Sequence, residues 1–231
     1  MDRAAVSRIA HGELALYNPL AEADLDEAIE LLALEPGARV LDVACGTGEV
    51  LRRIAVRWNV EGTGYDKDAE LIERARIAAP GMNLLVADQP PPAPFDLAVC
   101  VASSHALGGF PEALARLREL VIPGGQVLLG EGYWLREPTP EFLDSLGGAA
   151  ADELADYGGL FSAAENAGLT ALWSCVASER DWDRYEWTQV LNAERHGGEQ
   201  LRERAAAARR RLTLPYGRQT LGFALVLLRR H

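Results

Sequence analysis

The amino-acid sequence predicts an α/β fold, in which seven mostly parallel strands form a sheet with helices on both faces. Short apolar segments alternate with longer amphipathic segments from Ala38 almost to the C-terminus, which is typical of consecutive βαβ units. The segment 95–102 is apolar at every position after Asp96, as expected for a central strand that helices cover on both sides. These two observations favour a sheet that is mainly parallel.

The first half of the chain contains the clearest alternation of strands and helices. Asp68 is a suitable N-cap for a helix over residues 68–79, and Pro80-Gly81 would end that helix. Residues 89–94 are rich in proline and predict a turn. The other elements predicted here are strands at 40–44, 61–66, 83–88 and 95–102, and helices at 22–34 and 48–58.

The second half continues the pattern and adds a long helical insertion. A helix over 111–121 is expected to end at Pro123-Gly124-Gly125, and a second helix over 160–167 lies between glycines. Strands are predicted at 126–132, 169–177 and 220–228. We therefore predict a single domain over 1–231, with an N-terminal lid at 1–35 and an arginine-rich helical cap insertion at 179–212.

Composition and charge narrow the class of function. The chain has 231 residues, of which 48% are hydrophobic and 25% charged, a balance typical of a globular protein. Its net charge of -11 argues against nucleic acid as a partner, since binding to phosphates depends on Lys and Arg. The three cysteines are widely spaced, which predicts free thiols in the cytoplasm and no metal site. No apolar segment is long enough to suggest a membrane partner.

The loop after the first predicted strand is the most informative part of the sequence. It reads Asp42-Val43-Ala44-Cys45-Gly46-Thr47-Gly48, and a helix is predicted to follow it. A glycine-rich turn between a strand and a helix lets the backbone approach a nucleotide-like or carboxylate ligand closely. A dinucleotide-binding loop would carry a third glycine where Leu51 stands, so an NAD-linked oxidoreductase is the weaker alternative.

Further motifs follow this loop in a fixed order. They are Gly64-Tyr65-Asp66, Val86-Ala87-Asp88, Pro94-Phe95-Asp96-Leu97 and a turn of the form L-x-x-P-G-G-x-V over 120–127. The series resembles the class I methyltransferases that depend on S-adenosylmethionine (SAM), and the resemblance covers residues 37–129. It implies a Rossmann-like sheet, an enzyme and SAM as cofactor. The sequence departs from the family pattern at Ala44, which stands where the family has its first glycine.

The resemblance also implies which residues contact the cofactor. The carboxylate at Asp66 would accept hydrogen bonds from the two ribose hydroxyls, and the one at Asp88 from the adenine amino group. Asp42 would bind the loop or the methionine amino group. A cap of a helix or turn is the alternative role for Asp66 and Asp88. The remaining predicted cofactor contacts are Tyr17, Ala44, Gly46, Gly48, Lys67, Gln89 and Ser103.

Residues after the fourth and fifth strands are expected to meet the methyl acceptor, because ligands bind at the carboxyl ends of parallel strands. His105 is either the base that removes a proton from the acceptor or a hydrogen-bonded loop histidine. Two roles are possible for the next four residues, namely contact with the methyl acceptor or structural packing: Ser104, Glu131, Tyr133 and Trp134.

The sequence therefore predicts methyl transfer from SAM to a small-molecule acceptor. A SAM-binding regulatory protein without catalysis is an alternative from another class, and a homodimer is left open. An amino methyltransferase acting on a nucleic-acid base would carry an N/D-P-P-Y/F tetrad after the fourth strand, whereas this chain has Ala102-Ser103-Ser104-His105.

Overall fold

A computed structural model describes residues 2–92 and 94–231. Ala93, within the predicted turn at 89–94, and Met1 lie outside the described residues. The described strands form one seven-stranded sheet in the order β3-β2-β1-β4-β5-β7-β6. The strands are β1 (Arg39–Val43), β2 (Glu61–Asp66), β3 (Asn83–Val86), β4 (Phe95–Val101), β5 (Val121–Trp134), β6 (Leu169–Val176) and β7 (Leu221–Arg230).

The strand directions confirm a mostly parallel sheet. The neighbours among β1 to β5 pair in parallel, whereas β7 runs antiparallel to both β5 and β6. The chain proceeds outward from β1 through β2 to β3 and then returns to the other side of β1 with β4. This reversal opens a crevice at the carboxyl ends of β1 and β4, where open α/β sheets bind their ligands.

Helices cover both faces of the sheet, as predicted. On one face, α5 and α7 bury Leu114, Leu117 and Leu160, and on the other α2 and α3 bury Leu25 and Ile54. The helices are α1 (Arg3–His11), α2 (Glu22–Glu30), α3 (Glu49–Trp58), α4 (Ala69–Ala78), α5 (Phe110–Leu120), α6 (Pro140–Ser145), α7 (Tyr157–Asn166), α8 (Glu179–His196) and α9 (Glu199–Thr213). None of the helices within the described residues is long and apolar enough to cross a membrane.

Several predicted boundaries were wrong. The helix predicted over 22–34 ends at Glu30, and the Ala33 N–H instead donates to Gln126 Oε1 at 2.8 Å. The helix predicted over 111–121 spans Phe110–Leu120, because Val121 is extended and pairs with Phe95. Pro123-Gly124-Gly125 consequently lies inside β5 rather than before it. The third strand ends at Val86, two residues earlier than predicted.

The arginine-rich insertion consists of two helices rather than one continuous stretch. The break falls at Gly197 and Gly198, whose φ angles of 67° and 103° do not allow an α-helix to continue. Helices α8 and α9 pack against α1, a helix that the sequence did not predict, and bury Val6, Ala10 and Val190. Helix α1 begins after Asp2, whose side chain accepts a hydrogen bond from the Ala5 N–H.

Candidate active site

A cleft of about 480 Å³ lies at the carboxyl ends of β1, β2 and β4. Its floor is made by residues that leave these strands, among them Asp42, Asp66 and His105. Its roof is made by α1, the segment that follows it and Tyr185 of α8. Residues from the segments 1–35 and 179–212 therefore line the same cleft.

The glycine-rich loop takes a left-handed backbone at three positions, with φ angles of 48° at Ala44, 52° at Gly46 and 73° at Gly48. A Cβ atom at Gly46 would meet no heavy atom within 4 Å, so a ligand has room to approach the backbone there. A Cβ atom at Gly48 would lie 3.0 Å from that of Ala75, so packing against α4 requires this glycine. A residue with a Cβ atom is sterically disfavoured in the left-handed region, so Ala44 is strained there and glycine would not be.

Hydrogen bonds to the Asp66 carboxylate hold the glycine-rich loop at the end of β2. Asp66 is 9% exposed, and its two oxygens accept hydrogen bonds from the backbone N–H groups of Gly46 at 3.0 Å and Asp68 at 2.8 Å. Each carboxylate oxygen has a second acceptor position. The carboxylate can therefore bind ligand hydroxyls while it holds the loop.

Asp42 is a buried carboxyl group at the floor of the cleft. It is 3% exposed, and its Oδ2 atom has no hydrogen-bond partner in the described part of the chain. Burial, and next the charge of Asp66, raise the pKa of Asp42 to about 8. An unpartnered buried oxygen is costly, and a cationic ligand group placed against it would remove that cost.

His105 lies in a short 3₁₀ helix, Ser104–Leu107, directly after β4. Its side chain lines the cleft and makes no hydrogen bond to any described residue, so the role of a hydrogen-bonded loop histidine gains no support. Desolvation, and next the charge of Lys67, lower the pKa of His105 from its usual 6.5. The imidazole is therefore neutral at pH 7 and can accept a proton.

The backbone around His105 is held by two contacts with neighbouring strands. The Ser103 hydroxyl donates to the Val43 carbonyl at 2.9 Å, and the Ala102 N–H donates to the Gly130 carbonyl at 2.8 Å. Ala102 has a φ of 58°, so this turn is strained in the same way as the glycine-rich loop. Strain at two alanines that line one cleft is typical of a functional site.

The roof contains a hydrogen-bonded group that the sequence did not indicate. His11 is buried, stacks on Tyr17 with ring centroids 4.2 Å apart, and lies with its Nδ1 atom 2.8 Å from the Ser7 carbonyl. Since a carbonyl only accepts, Nδ1 carries the proton, and Nε2 accepts from the Tyr185 hydroxyl at 2.9 Å. Burial lowers the pKa of His11 to about 4, so the ring is neutral.

The roof is also tied to the floor by charge. Arg8 of α1 forms ion pairs with Asp68 and with Glu70, the latter at 2.8 Å. Asp68 caps α4, as the sequence predicts, and lies two residues after Asp66. These contacts hold α1 over the part of the cleft that Asp66 faces.

Nine of the residues predicted for the site line the cleft. They are Tyr17, Asp42, Ala44, Gly46, Asp66, Lys67, Asp88, Ser103 and His105. Ser7, His11 and Tyr185 line it as well; they lie in the segments predicted as lid and cap, and the packing of α1 on α8 brings them together.

Six other residues predicted for the site lie outside the lining of the cleft. Gly48 packs against α4, and Glu131 is buried, with Oε1 accepting from the Gly132 N–H at 3.0 Å. Tyr133 packs against Tyr157, and the Trp134 indole donates to the Ala151 carbonyl at 2.8 Å. The remaining two are Gln89 and Ser104.

Comparison with known proteins identifies the family. Residues 17–188 match a family model described as a methyltransferase domain. The chain belongs to the class I SAM-dependent methyltransferases. The methyltransferase resembles the crystal structure of YjhP from Escherichia coli, with a TM-score of 0.87 and 26% identity over 98% of this chain and 99% of that one.

Two further similar proteins are described with a bound ligand or with an activity. A SAM-dependent methyltransferase from Thiobacillus denitrificans, solved in complex with S-adenosylhomocysteine (SAH), has a TM-score of 0.83 and 25% identity, over 100% of this chain and 99% of that one. A trans-aconitate 2-methyltransferase from Paracidovorax citrulli is 31% identical over 157 residues, which are 59% of this chain and 60% of the relative.

These comparisons confirm the predicted fold, the enzyme class and SAM as the cofactor. The site described above also fits SAM on physical grounds. The orphaned Oδ2 of Asp42 suits the methionine ammonium group, and the open space at Gly46 allows close approach to the backbone.

Proposed function

We propose that this methyltransferase transfers the methyl group of SAM to a small organic molecule that enters the same cleft, in the cytoplasm. The observation that carries the proposal is that the floor and the roof enclose one cleft of about 480 Å³. Small-molecule sites span roughly 300–1,000 Å³, so the cleft has the size of a small-molecule site. The three cysteines are free, in keeping with a reducing compartment.

Binding of the cofactor is assigned to the residues of the floor. Asp66 would accept hydrogen bonds from the ribose hydroxyls, Asp88 from the adenine amino group, and Asp42 from the methionine ammonium. Tyr17 in the roof and Lys67, Ser103 and the backbone of Ala44 and Gly46 would complete the contacts. All of these residues line the cleft, which supports the assignment.

The chain itself contributes alignment, exclusion of water and a proton acceptor. SAM supplies an electrophilic methyl group on a sulfonium centre. Because methyl transfer is an in-line displacement, the roof of His11, Tyr17 and Tyr185 would hold the acceptor in line and keep water out. His105, neutral and without a hydrogen-bond partner among the described residues, would take the proton of an acceptor O–H or N–H.

Calorimetry followed by an acceptor screen tests the proposal. We expect SAH to bind and NAD not to bind, and we expect Asp66→Ala to weaken SAH binding, with hydrogen bonds to the charged acceptor contributing about 1.5–3 kcal/mol each. The screen then measures SAH formation from SAM with phenols, amines, thiols and carbon acids. Binding of NAD without SAH would refute the proposal. Binding of SAH with no turnover on any acceptor would favour the regulatory alternative.

A further inference from the structure

The roof of the cleft is lined by uncharged side chains. It contributes Ser7, His11, residues 15–18 and Tyr185 to the lining, and His11 is the one titratable base among these described residues. Its Nδ1 atom donates to the Ser7 carbonyl at 2.8 Å and its Nε2 atom accepts from the Tyr185 hydroxyl at 2.9 Å, the arrangement of a neutral ring. The roof therefore offers hydrogen bonds to a ligand but no charge.

Two arginines on helices α1 and α9 do not supply a charge to the cleft. Arg8 forms an ion pair with Asp68, and Arg204 donates two hydrogen bonds to Gln189 Oε1, at 3.1 Å and 2.5 Å. Neither arginine lines the cleft. Burial, and less strongly the charge of Arg204, lower the pKa of His11 to about 4, which keeps its ring neutral.

The charged side chains among the described lining residues lie on the floor, and each already has a partner or a place in the proposed cofactor site. Glu49 is paired with Arg52 at 2.8 Å and with Arg53 at 2.7 Å. The other four are assigned above to the cofactor: Asp42, Asp66, Lys67 and Asp88. An ammonium group on the acceptor would therefore have no free carboxylate beside it, and an acceptor carboxylate would face the carboxylates of the floor. Either charge would lose its hydration without compensation.

His105 gives an independent indication of the acceptor. Its ring lines the cleft and is neutral at pH 7, because desolvation, and next the charge of Lys67, lower its pKa. A carboxylate acceptor has no proton to lose and would need no base, whereas a neutral O–H group must give up its proton as its oxygen attacks. The O–H group of a phenol has a pKa of about 10, as in tyrosine, so a positioned base can take its proton during the transfer.

We infer that the methyl acceptor is an uncharged phenol, which binds between His105 and the uncharged roof. The inference rests on the proposed function and names its substrate class. The Asn18 side chain accepts from the Leu20 N–H through Oδ1 at 3.0 Å, which leaves its amide N–H groups to donate to a neutral polar substituent. Ala15 and Leu16 offer apolar contacts to the ring of the phenol.

The transfer step balances for a phenol. The phenol oxygen forms a bond to the methyl carbon while the carbon–sulfur bond breaks, and the bonding pair stays on sulfur to give SAH. The proton of the phenol moves to His105, and the resulting imidazolium later releases it to water. One positive charge therefore passes from the sulfonium centre to the imidazole, and no charged group of the acceptor takes part.

Phenols of similar size but different charge test the inference on the intact protein saturated with SAH at pH 7. One pair is 4-hydroxybenzamide and the anionic 4-hydroxybenzoate, and the other is 4-(2-hydroxyethyl)phenol and the cationic 4-(2-aminoethyl)phenol, each titrated by calorimetry. We expect each neutral phenol to bind at least about tenfold more tightly than its charged counterpart, which corresponds to about 1.4 kcal/mol. With SAM in place of SAH, the neutral phenols should be methylated faster than the charged ones.

A charge placed in the roof should weaken this preference. Ser7→Lys adds an ammonium group to the lining, so the preference for 4-hydroxybenzamide over 4-hydroxybenzoate should fall at least about fivefold. Ser162→Lys, at an exposed serine of α7, is the matched control and should keep the preference of the wild type. If Ser7→Lys does not fold, the comparison of the four phenols on the wild type decides.

The possible results separate this inference from the proposed function. If SAH itself does not bind, the proposed function fails. If SAH binds but a charged phenol binds as tightly as its neutral counterpart, or if none of the four binds, the phenol inference is wrong. It is also wrong if the neutral phenols bind without being methylated. An unchanged preference in a folded Ser7→Lys variant would show that the acceptor does not lie against the roof, and would overturn it as well.

Discussion

The Nε2 atom of His11 lies 2.9 Å from the hydroxyl oxygen of Tyr185, and this hydrogen bond joins α1 to α8 above the cleft. The same hydroxyl lies 3.2 Å from the Tyr17 carbonyl, in the segment that follows α1. A hydroxyl has a single proton, and because His11 Nε2 accepts it, the Tyr17 carbonyl is a neighbour of Tyr185 rather than a second hydrogen-bond partner. Because His11 is buried, removing the hydroxyl leaves its Nε2 acceptor without a partner among the described residues.

We predict that Tyr185→Phe loosens the roof. An unsatisfied buried acceptor costs about 1–3 kcal/mol, so the free energy of unfolding should fall by an amount in that range. SAH should also bind more weakly, because the roof closes over it less often. Urea denaturation and calorimetry measure the two effects. Tyr216→Phe is the matched control, since Tyr216 is 65% exposed, and equal behaviour of the two variants would contradict the prediction.

The raised pKa of Asp42 predicts that the free energy of unfolding depends on pH. Its pKa rises from 3.8 in the unfolded chain to about 8 in the folded protein, so the folded state binds more protons between these values. Stability from this group is present at low pH and is lost as the pH rises through about 8. Asp42→Asn should remove that loss, and the variant should gain more than about 1 kcal/mol on the wild type between pH 5 and pH 8.5.

Thermal unfolding across that pH range measures the Asp42 effect. Asp144→Asn, at an exposed position, should give a curve parallel to that of the wild type. Asp42→Asn should also bind SAH more weakly, because the Asp42 carboxyl can lose its proton to balance an ammonium group placed against it, whereas an amide cannot ionise. A variant whose stability follows the wild-type pH curve would show that Asp42 does not hold a proton in the folded protein.

His105→Ala is expected to lower the turnover rate by about 10²- to 10⁴-fold while leaving SAH affinity nearly unchanged. The wild-type rate should rise with pH, because a base works when deprotonated. The lowered pKa of His105 places that rise below 6.5, and the variant should lack it. His196→Ala, at an exposed histidine of α8, should match the wild type. Identical pH profiles for wild type and His105→Ala would exclude His105 as the base, whatever the rate.

Ala44→Gly should stabilise the protein. Alanine at a φ of 48° costs roughly 1–2 kcal/mol, and the added freedom of glycine in the unfolded chain costs about 0.4–1 kcal/mol, so a net gain below about 1.5 kcal/mol is expected. The same change at Ala206, an exposed position inside α9, should instead destabilise by about 1 kcal/mol. Destabilisation by both variants would show that the backbone at Ala44 is relaxed.

Much of the fold and of the floor of the site could be predicted from the sequence. The turn from β1 into α3 and the aspartates near the ends of β2 and β3 are local features, since Asp66 is the last residue of β2 and Asp88 lies two residues after β3. Parallel strands bring their carboxyl ends to one edge, so Asp42, Asp66 and Asp88 line a common cleft. The central strand β4 was predictable because it is apolar at every position after Asp96, as a strand covered on both faces is.

The roof and the exact path of β5 were decided by tertiary structure. His11 and Tyr185 are 174 positions apart, and the pattern of an amphipathic helix reveals which face is apolar but not which helix it meets. Glu131, Tyr133 and Trp134 lie around the end of the strand predicted over 126–132, yet β5 continues through all three because β7 pairs with it as far as Trp134. A residue at a strand end can be assigned to a site from sequence alone, whereas contacts between distant segments depend on how separate apolar faces pack together.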